Sequence, residues 1–101
     1  MRHAARTDAN HAEIRDALRA AGCSVADTGS AGDGFPDLVV GLRSRNFLLE
    51  IKDGKKPPSA RKLTDDQVKF HGAWRGQVHV VTSVQEAIDV VFGDPDARWM
   101  P

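Results

Sequence analysis

Cysteine, long apolar runs and net charge are scarce or absent in this 101-residue chain. The lone Cys23 excludes an internal disulfide and a zinc site built from paired cysteines, and it fits a reducing compartment. No apolar run approaches the ~20 residues of a membrane span, and the first residues lack the apolar stretch of a secretion signal. We therefore expect one cytoplasmic domain over 1–101, with a core of about 8–92 and a tail over 93–101.

The net charge of zero hides a local excess of basic residues. Residues 43–62 contain seven basic and two acidic side chains, a net charge of +5 that the rest of the chain offsets. A basic patch on a neutral protein is one footprint of nucleic-acid binding, although a mobile solvated loop has the same composition. The residues of this segment that we predict to contact DNA phosphates are Lys55, Lys56, Arg61 and Lys62.

Hydrophobic periodicity predicts three helices and four strands. Apolar residues spaced by three and four positions indicate a first helix over 8–21, capped by Thr7 or Asp8. Thr64 and Gln67 form a capping-box pattern at the start of a second helix. The order helix, three strands, helix, strand, helix predicts an α/β domain of two or three layers. The predicted strands cover 23–28, 37–41, 46–52 and 77–81, and the later helices begin near Asp65 and Val84.

The short linker GLRSRN predicts an antiparallel hairpin between the second and third strands. A turn centred between Arg43 and Ser44 places Asp37 opposite Glu50 on one face of the sheet, with their Cβ atoms ~4.5–5.5 Å apart. Lys52 shares that face and lies diagonal to Asp37. A register slip of one residue would move Glu50 to the other face and remove this arrangement.

Two facing carboxylates destabilise a sheet unless a cation lies between them. Mg²⁺ prefers such oxygen ligands and keeps several of its waters. A lysine beside the ion can orient or deprotonate a water, or stabilise developing phosphate charge, as phosphodiester hydrolysis requires. The alternative is a structural ion-pair cluster in which Lys52 neutralises Glu50 or Asp37.

The segments GFPDLVVG and FLLEIK resemble the signature of the PD-(D/E)xK nucleases, with Asp37, Glu50 and Lys52 at the motif positions. The first helix, the KPPSARKLT loop and the glutamine of the next helix extend the resemblance to the virus-type replication–repair nuclease (VRR-NUC) family, from about Asp8 to about Val91. This resemblance implies a restriction-endonuclease-like fold with a mixed central sheet and flanking helices. It also implies a metal-dependent DNA endonuclease similar to stand-alone Holliday-junction resolvases, which act as homodimers on branched DNA.

The resemblance also implies roles for individual residues. It implies Mg²⁺ or Mn²⁺ held by Asp37, Glu50 and the backbone carbonyl of Ile51, with the lysine of the motif as the catalytic lysine. Glu13 resembles the family's helical glutamate, a metal ligand directly or through water, although a surface charge is the plainer reading of its position. Gln67 resembles the glutamine that helps to shape the site, and its capping-box role is the competing explanation.

Two other functions stay open at the level of the sequence. One is a non-catalytic DNA-binding module that uses the basic segment, and the other is an assembly module with a nuclease-like fold; RNA also stays open as a substrate. His71 lies one helical turn after Gln67 and could reach the site, although such a histidine is more often a packed or surface residue. We interpret Phe70 and Trp74 as core residues rather than base-stacking ones.

Overall fold

The four strands form one mixed sheet in the computed structural model of the chain, which describes residues 8–93. The elements are α1 (His11–Ala20), β1 (Ser24–Asp27), β2 (Leu38–Leu42), β3 (Arg45–Ile51), α2 (Asp65–Ala73), β4 (Val78–Val81) and α3 (Val84–Phe92), with a short 3-10 helix at Pro58–Ala60. The sheet order is β1-β2-β3-β4, in which β4 runs parallel to β3 and the other neighbours are antiparallel. The predicted element order and mixed sheet are therefore confirmed.

The hydrophobic core lies on one face of the sheet, between the strands and the pair of helices α1 and α3. Directly opposite residues share a face, so Leu49 lies on the same side as Leu38 and the two side chains are fully buried. Ile14 of α1 and Val91 of α3 pack against them. Helix α2 lies on the other face, where Gln67 contacts Glu50. The domain is thus built in three layers, and its second interface is polar.

The hairpin between β2 and β3 has the register that the sequence predicts. Val39 pairs with Leu48 and Gly41 pairs with Asn46. Arg43 and Ser44 have φ values of 53° and 65°, as a two-residue turn with both central residues in the left-handed region requires. The twist of such a turn matches the twist of the flanking strands, and it fixes which residues of β2 and β3 share a face.

Helix α1 begins differently from the prediction. Asn10 occupies its N-cap position, not Asp8, and Thr7 lies outside the described residues. The Asn10 side chain donates to the backbone carbonyl oxygens of Lys52 (3.1 Å) and Thr82 (3.0 Å). The predicted cap was wrong because these contacts, which join positions far apart in the sequence, decide where the chain enters the helix. They fasten the start of α1 to the ends of β3 and β4.

Cys23 is buried and contributes to the core, as a small apolar residue does. Within residues 8–93, none of the helices has the length and apolar character needed to cross a bilayer. The predicted tail lies outside the described residues from position 94 onward.

Candidate active site

Asp37 and Glu50 come together at one end of the hairpin. The register continues from the pair Leu38 and Leu49, so Asp37, directly before β2, lies opposite Glu50 on β3. Asp37 Oδ2 accepts a hydrogen bond of 2.7 Å from the backbone N–H of Ile51. This contact fixes the Asp37 carboxylate across the strand end, beside Glu50.

Glu50 is buried although it is ionisable. Its side chain is only 1% exposed. One carboxylate oxygen, Oε2, accepts a hydrogen bond of 3.0 Å from Gln67 Nε2. The other oxygen, Oε1, is buried and has no hydrogen-bond partner among residues 8–93. Because Asp37 also presents a carboxylate here, the two groups can bond to each other only when one of them carries a proton.

Burial raises the pKa of Glu50 to about 9, and the adjacent Asp37 carboxyl adds to this effect through hydrogen bonding and charge. The positive charge of Lys52 opposes the shift, and the negative charge of Asp8 increases it. A buried carboxylate pair of this kind holds a proton at neutral pH unless a cation replaces it. The site is therefore built for positive charge.

Gln67 connects the two sides of the site. Its Oε1 accepts from Lys52 Nζ (2.9 Å) and from the backbone N–H of Thr64 (2.9 Å), while its Nε2 donates to Glu50. The Thr64 hydroxyl accepts the Gln67 backbone N–H, which completes a capping box. One side chain therefore caps α2 and also contacts Lys52 and Glu50, while its role in the site stays a prediction.

The loop before β2 sets the position of this glutamine. Gly34 has a φ of 77°, and a Cβ placed on it would lie 2.3 Å from the carbonyl oxygen of Asp66 and 2.9 Å from the backbone nitrogen of Gln67. The first turn of α2 can approach the loop this closely only because residue 34 lacks a side chain. Sequence patterns did not predict this role, since the only local signal is a glycine in a glycine-rich loop.

Two polar residues ahead of α1 were also missed. Asn10 holds the Lys52 carbonyl, as described above, and Asp8 is close enough for its charge to raise the pKa of Glu50. Asp8 Oδ1 lies 3.6 Å from Lys56 Nζ. No spacing rule in the sequence indicates either contact, because the partners lie more than forty residues away along the chain.

Glu13 lies apart from the two carboxylates. It is exposed on α1 and lines a cleft of about 420 Å³ with Asn10, Asp53, Lys55 and the segment 82–85. Within residues 8–93, no three histidine, cysteine or acidic side chains are grouped closely enough to hold a metal ion. The structure therefore does not gather Glu13 with Asp37 and Glu50, and its role as a metal ligand stays a prediction.

The loop that follows Lys52 carries the basic side chains predicted to contact DNA. Lys55, Lys56 and Lys62 are exposed and Arg61 is half-buried, and the short 3-10 helix interrupts the predicted loop. Lys52, by contrast, is half-buried and directed to Gln67. Lys52 therefore lies at the carboxylates, whereas Lys55, Lys56 and Lys62 are exposed to solvent.

Helix α2 carries further side chains on the site's side. Burial and the positive charge of Lys52 lower the pKa of His71, so this histidine lies near the lysine. Phe70 stacks on Trp74 with ring centroids 5.1 Å apart. Phe70 is only half-buried and Trp74 is 43% exposed. The interpretation of both aromatics as core residues was wrong for Trp74, because α2 covers the polar face of the sheet.

The donor set fits a divalent cation of the magnesium type. Mg²⁺ is held by one or two carboxylates and keeps several waters, so it does not need three acidic side chains. Asp37 and Glu50 supply two carboxylates, and the backbone carbonyl of Ile51 is adjacent in sequence to the buried Glu50. The orphaned Glu50 Oε1 is a buried acceptor that a cation would satisfy.

Comparison with known proteins identifies the fold. The structure is similar to a solved structure described as a VRR_NUC domain, with a TM-score of 0.61, 23% sequence identity, and coverage of 85% of this chain and 98% of that one. No family model matches the sequence, and no curated protein is significantly similar to it. The similarity shows that the chain has the fold of a VRR_NUC domain.

Proposed function

We propose that this chain is a VRR-NUC family nuclease that cuts DNA with the help of Mg²⁺ or Mn²⁺. The observation that carries the proposal is the buried pair of Asp37 and Glu50, with an unsatisfied Glu50 oxygen and a lysine held beside it. If hydrophobic side chains replaced this pair, the fold would be more stable. A role in binding a cation explains why two carboxylates are placed together there.

Each residue of the site has a defined task in this proposal. Asp37, Glu50 and the Ile51 carbonyl hold the metal ion, and Glu13 contributes to it directly or through water. When bound, the ion supplies Lewis-acid activation of the phosphate and lowers the pKa of water. Lys52 Nζ, oriented by Gln67, orients or deprotonates the attacking water or stabilises charge on the phosphate.

DNA is the proposed substrate, and branched DNA such as a Holliday junction is the proposed form of it. The exposed lysines of the basic segment are available for phosphates. A homodimer would provide two active sites for two strands, and the proposed location is the cytoplasm. The competing function, a non-catalytic DNA-binding or assembly module, leaves the buried carboxylate pair without a purpose.

The test is a cleavage assay on labelled four-way junction, flap, duplex and single-stranded DNA, with Mg²⁺, Mn²⁺ or a chelator. Glu50→Gln keeps the size of the side chain and removes its charge, and Glu86→Gln is the matched control because Glu86 is exposed and only caps α3. We expect metal-dependent cutting that Glu50→Gln abolishes and Glu86→Gln preserves. Binding without cutting under every condition would refute the catalytic proposal, and equal cutting by both variants would refute the site.

A further inference from the structure

We propose that Trp74 is a stacking platform for an unpaired base of the DNA substrate, an inference that rests on the nuclease function proposed above. The substrate class that follows is DNA with an unstacked base close to the cut, as at a branch, flap or gap. Continuous duplex is disfavoured by the same contact.

One face of α2 leads from the carboxylates to Trp74. Gln67, Phe70, His71 and Trp74 are separated by three, four and seven positions, so they share a side of the helix. Gln67 contacts Glu50 and Lys52 at the start of this row. At a rise of 1.5 Å per residue, Trp74 lies about 10 Å further along the helix axis.

The indole is held in place by other rings. Phe35, two residues before Asp37, packs edge-on against Phe70 with centroids 5.3 Å apart, and Phe70 stacks on Trp74 at an interplanar angle of 18°. Phe70 stacks on one face of the indole and Gly76 approaches its Nε1 edge, yet Trp74 is still 43% exposed. Part of a preorganised aromatic surface is therefore open beside the site.

The charge around Trp74 favours nucleic acid as the occupant. Arg75 directly follows Trp74, and no acidic residue occurs from Lys69 to Arg75. A basic residue beside an aromatic one suits a base and its phosphate. A second copy of the chain is a poorer occupant. In a two-fold contact through this surface, the Arg75 side chains of the two copies would bring like charges together.

Base geometry then selects the substrate. Inside a continuous duplex both faces of each base are covered by neighbours, so an indole can stack only on a base that is unpaired, terminal or turned out. The distance of about 10 Å from Gln67 to Trp74 equals about three stacked steps of 3.4 Å. The stacked base should therefore lie within about three nucleotides of the phosphate that is cut.

Trp74 fluorescence tests the contact directly. The sequence contains two tryptophans, so Trp74 is the one that remains in a Trp99→Phe protein. Binding is measured with Ca²⁺ in place of Mg²⁺, using flap and gapped DNA with 2-aminopurine at each position near the branch and a continuous duplex of equal length. We expect quenching of Trp74, and of 2-aminopurine at one or two positions, by the branched DNA only. Equal signals from duplex and branched DNA would overturn the proposal.

Affinity of variants gives a second readout. Trp74→Ala should weaken binding to branched DNA by about 5- to 100-fold, Trp74→Phe should retain most of it, and Val68→Ala should change nothing. Val68 is the matched control because it is 55% exposed on α2 but off the Gln67 face. Unchanged affinity of Trp74→Ala would refute the platform. Loss of a dimer in Trp74→Ala but not in Val68→Ala, measured by sedimentation, would also refute it, because this surface would then be a contact between copies.

The two proposals fail separately. A protein whose Trp74 stacks on branched DNA but that never cuts it refutes the nuclease and leaves the platform. A protein that cuts branched DNA with full affinity after Trp74→Ala refutes the platform and leaves the nuclease. Because the fluorescence experiment retains Trp74, a folding defect of Trp74→Ala cannot decide the outcome.

Discussion

At the scale of single residues, Glu50 combines nearly complete burial with an ionisable carboxyl. Without a cation, deprotonation of this group leaves a charge in the interior beside a second carboxylate, and one oxygen has no partner among the described residues. Such a group lowers the stability of the fold. The site therefore opposes stability in the metal-free protein, and the same conflict is what makes it a strong place for a cation.

The metal-free wild-type protein should lose stability as the pH rises, and Glu50→Gln should remove this loss. The pKa of Glu50 is about 9 in the folded state against an ordinary value of 4.5, so between these values the folded state binds more protons and its stability falls with rising pH. We expect the wild-type to lose about 1–3 kcal/mol relative to the variant between about pH 5.5 and about pH 8. Urea unfolding in chelator measures this, and parallel pH profiles of the two proteins would contradict it.

Sequence patterns predicted the contacts within the β2–β3 hairpin but missed the contacts between segments that lie far apart in the chain. Asp37, Glu50 and Lys52 lie on a hairpin with a two-residue turn, so local pairing rules were enough to place Asp37 opposite Glu50. The contacts of Asn10 with Lys52 and Thr82 depend on how α1 meets the sheet. Local patterns carry no information about such long-range contacts.

At the scale of elements, the approach of α2 to the glycine-rich loop controls the site. Gly34→Ala should displace the first turn of α2, break the bridge of Gln67 to Lys52 and Glu50, and destabilise the fold by about 1–3 kcal/mol. Gly32→Ala is the matched control, because Gly32 also has a positive φ (83°) but nothing lies within 4 Å of its added Cβ. Unfolding and cleavage assays on both variants separate the contact from backbone strain, and equal losses would show that the contact is unimportant.

The hairpin turn offers a change that should affect stability alone. Ser44 has a φ of 65°, a conformation that costs non-glycine residues about 1 kcal/mol. Ser44→Gly should therefore stabilise the protein by a few tenths to about 1 kcal/mol after the entropy cost of glycine. Activity should stay unchanged, since the turn lies at the opposite end of the hairpin from Asp37 and Glu50. A thermal melt decides this, and a lower melting temperature would refute the strain argument.

At the scale of the whole molecule, charge is divided between a basic segment and an acidic remainder. If Lys55 and Lys62 each contact a phosphate, the double alanine variant should lower the slope of log affinity against log salt by about 2. Arg45→Ala is the control, because Arg45 is exposed at the other end of the hairpin. A salt titration of DNA binding checks both, and an unchanged slope in the double variant would make the segment a solvated loop.

The overall arrangement was predictable because hydrophobic periodicity and turn residues agree along most of the chain. The mixed sheet followed from the family resemblance, and the similarity to a VRR_NUC domain confirms it. The exposure of Trp74 was not predictable, since aromatic spacing on α2 is the same for a core helix and for one that covers a polar sheet face. Which face a helix covers is decided by the whole fold.

A calorimetric titration of Mn²⁺ into the wild-type protein and into Glu50→Gln at one neutral pH decides whether Glu50 is a metal ligand. We expect one saturable site per chain in the wild-type protein, strongly weakened in Glu50→Gln, because the buried carboxylate is a ligand of the ion. Equal binding by the two proteins would contradict it, since the carboxylate pair of Asp37 and Glu50 would then not be the metal site.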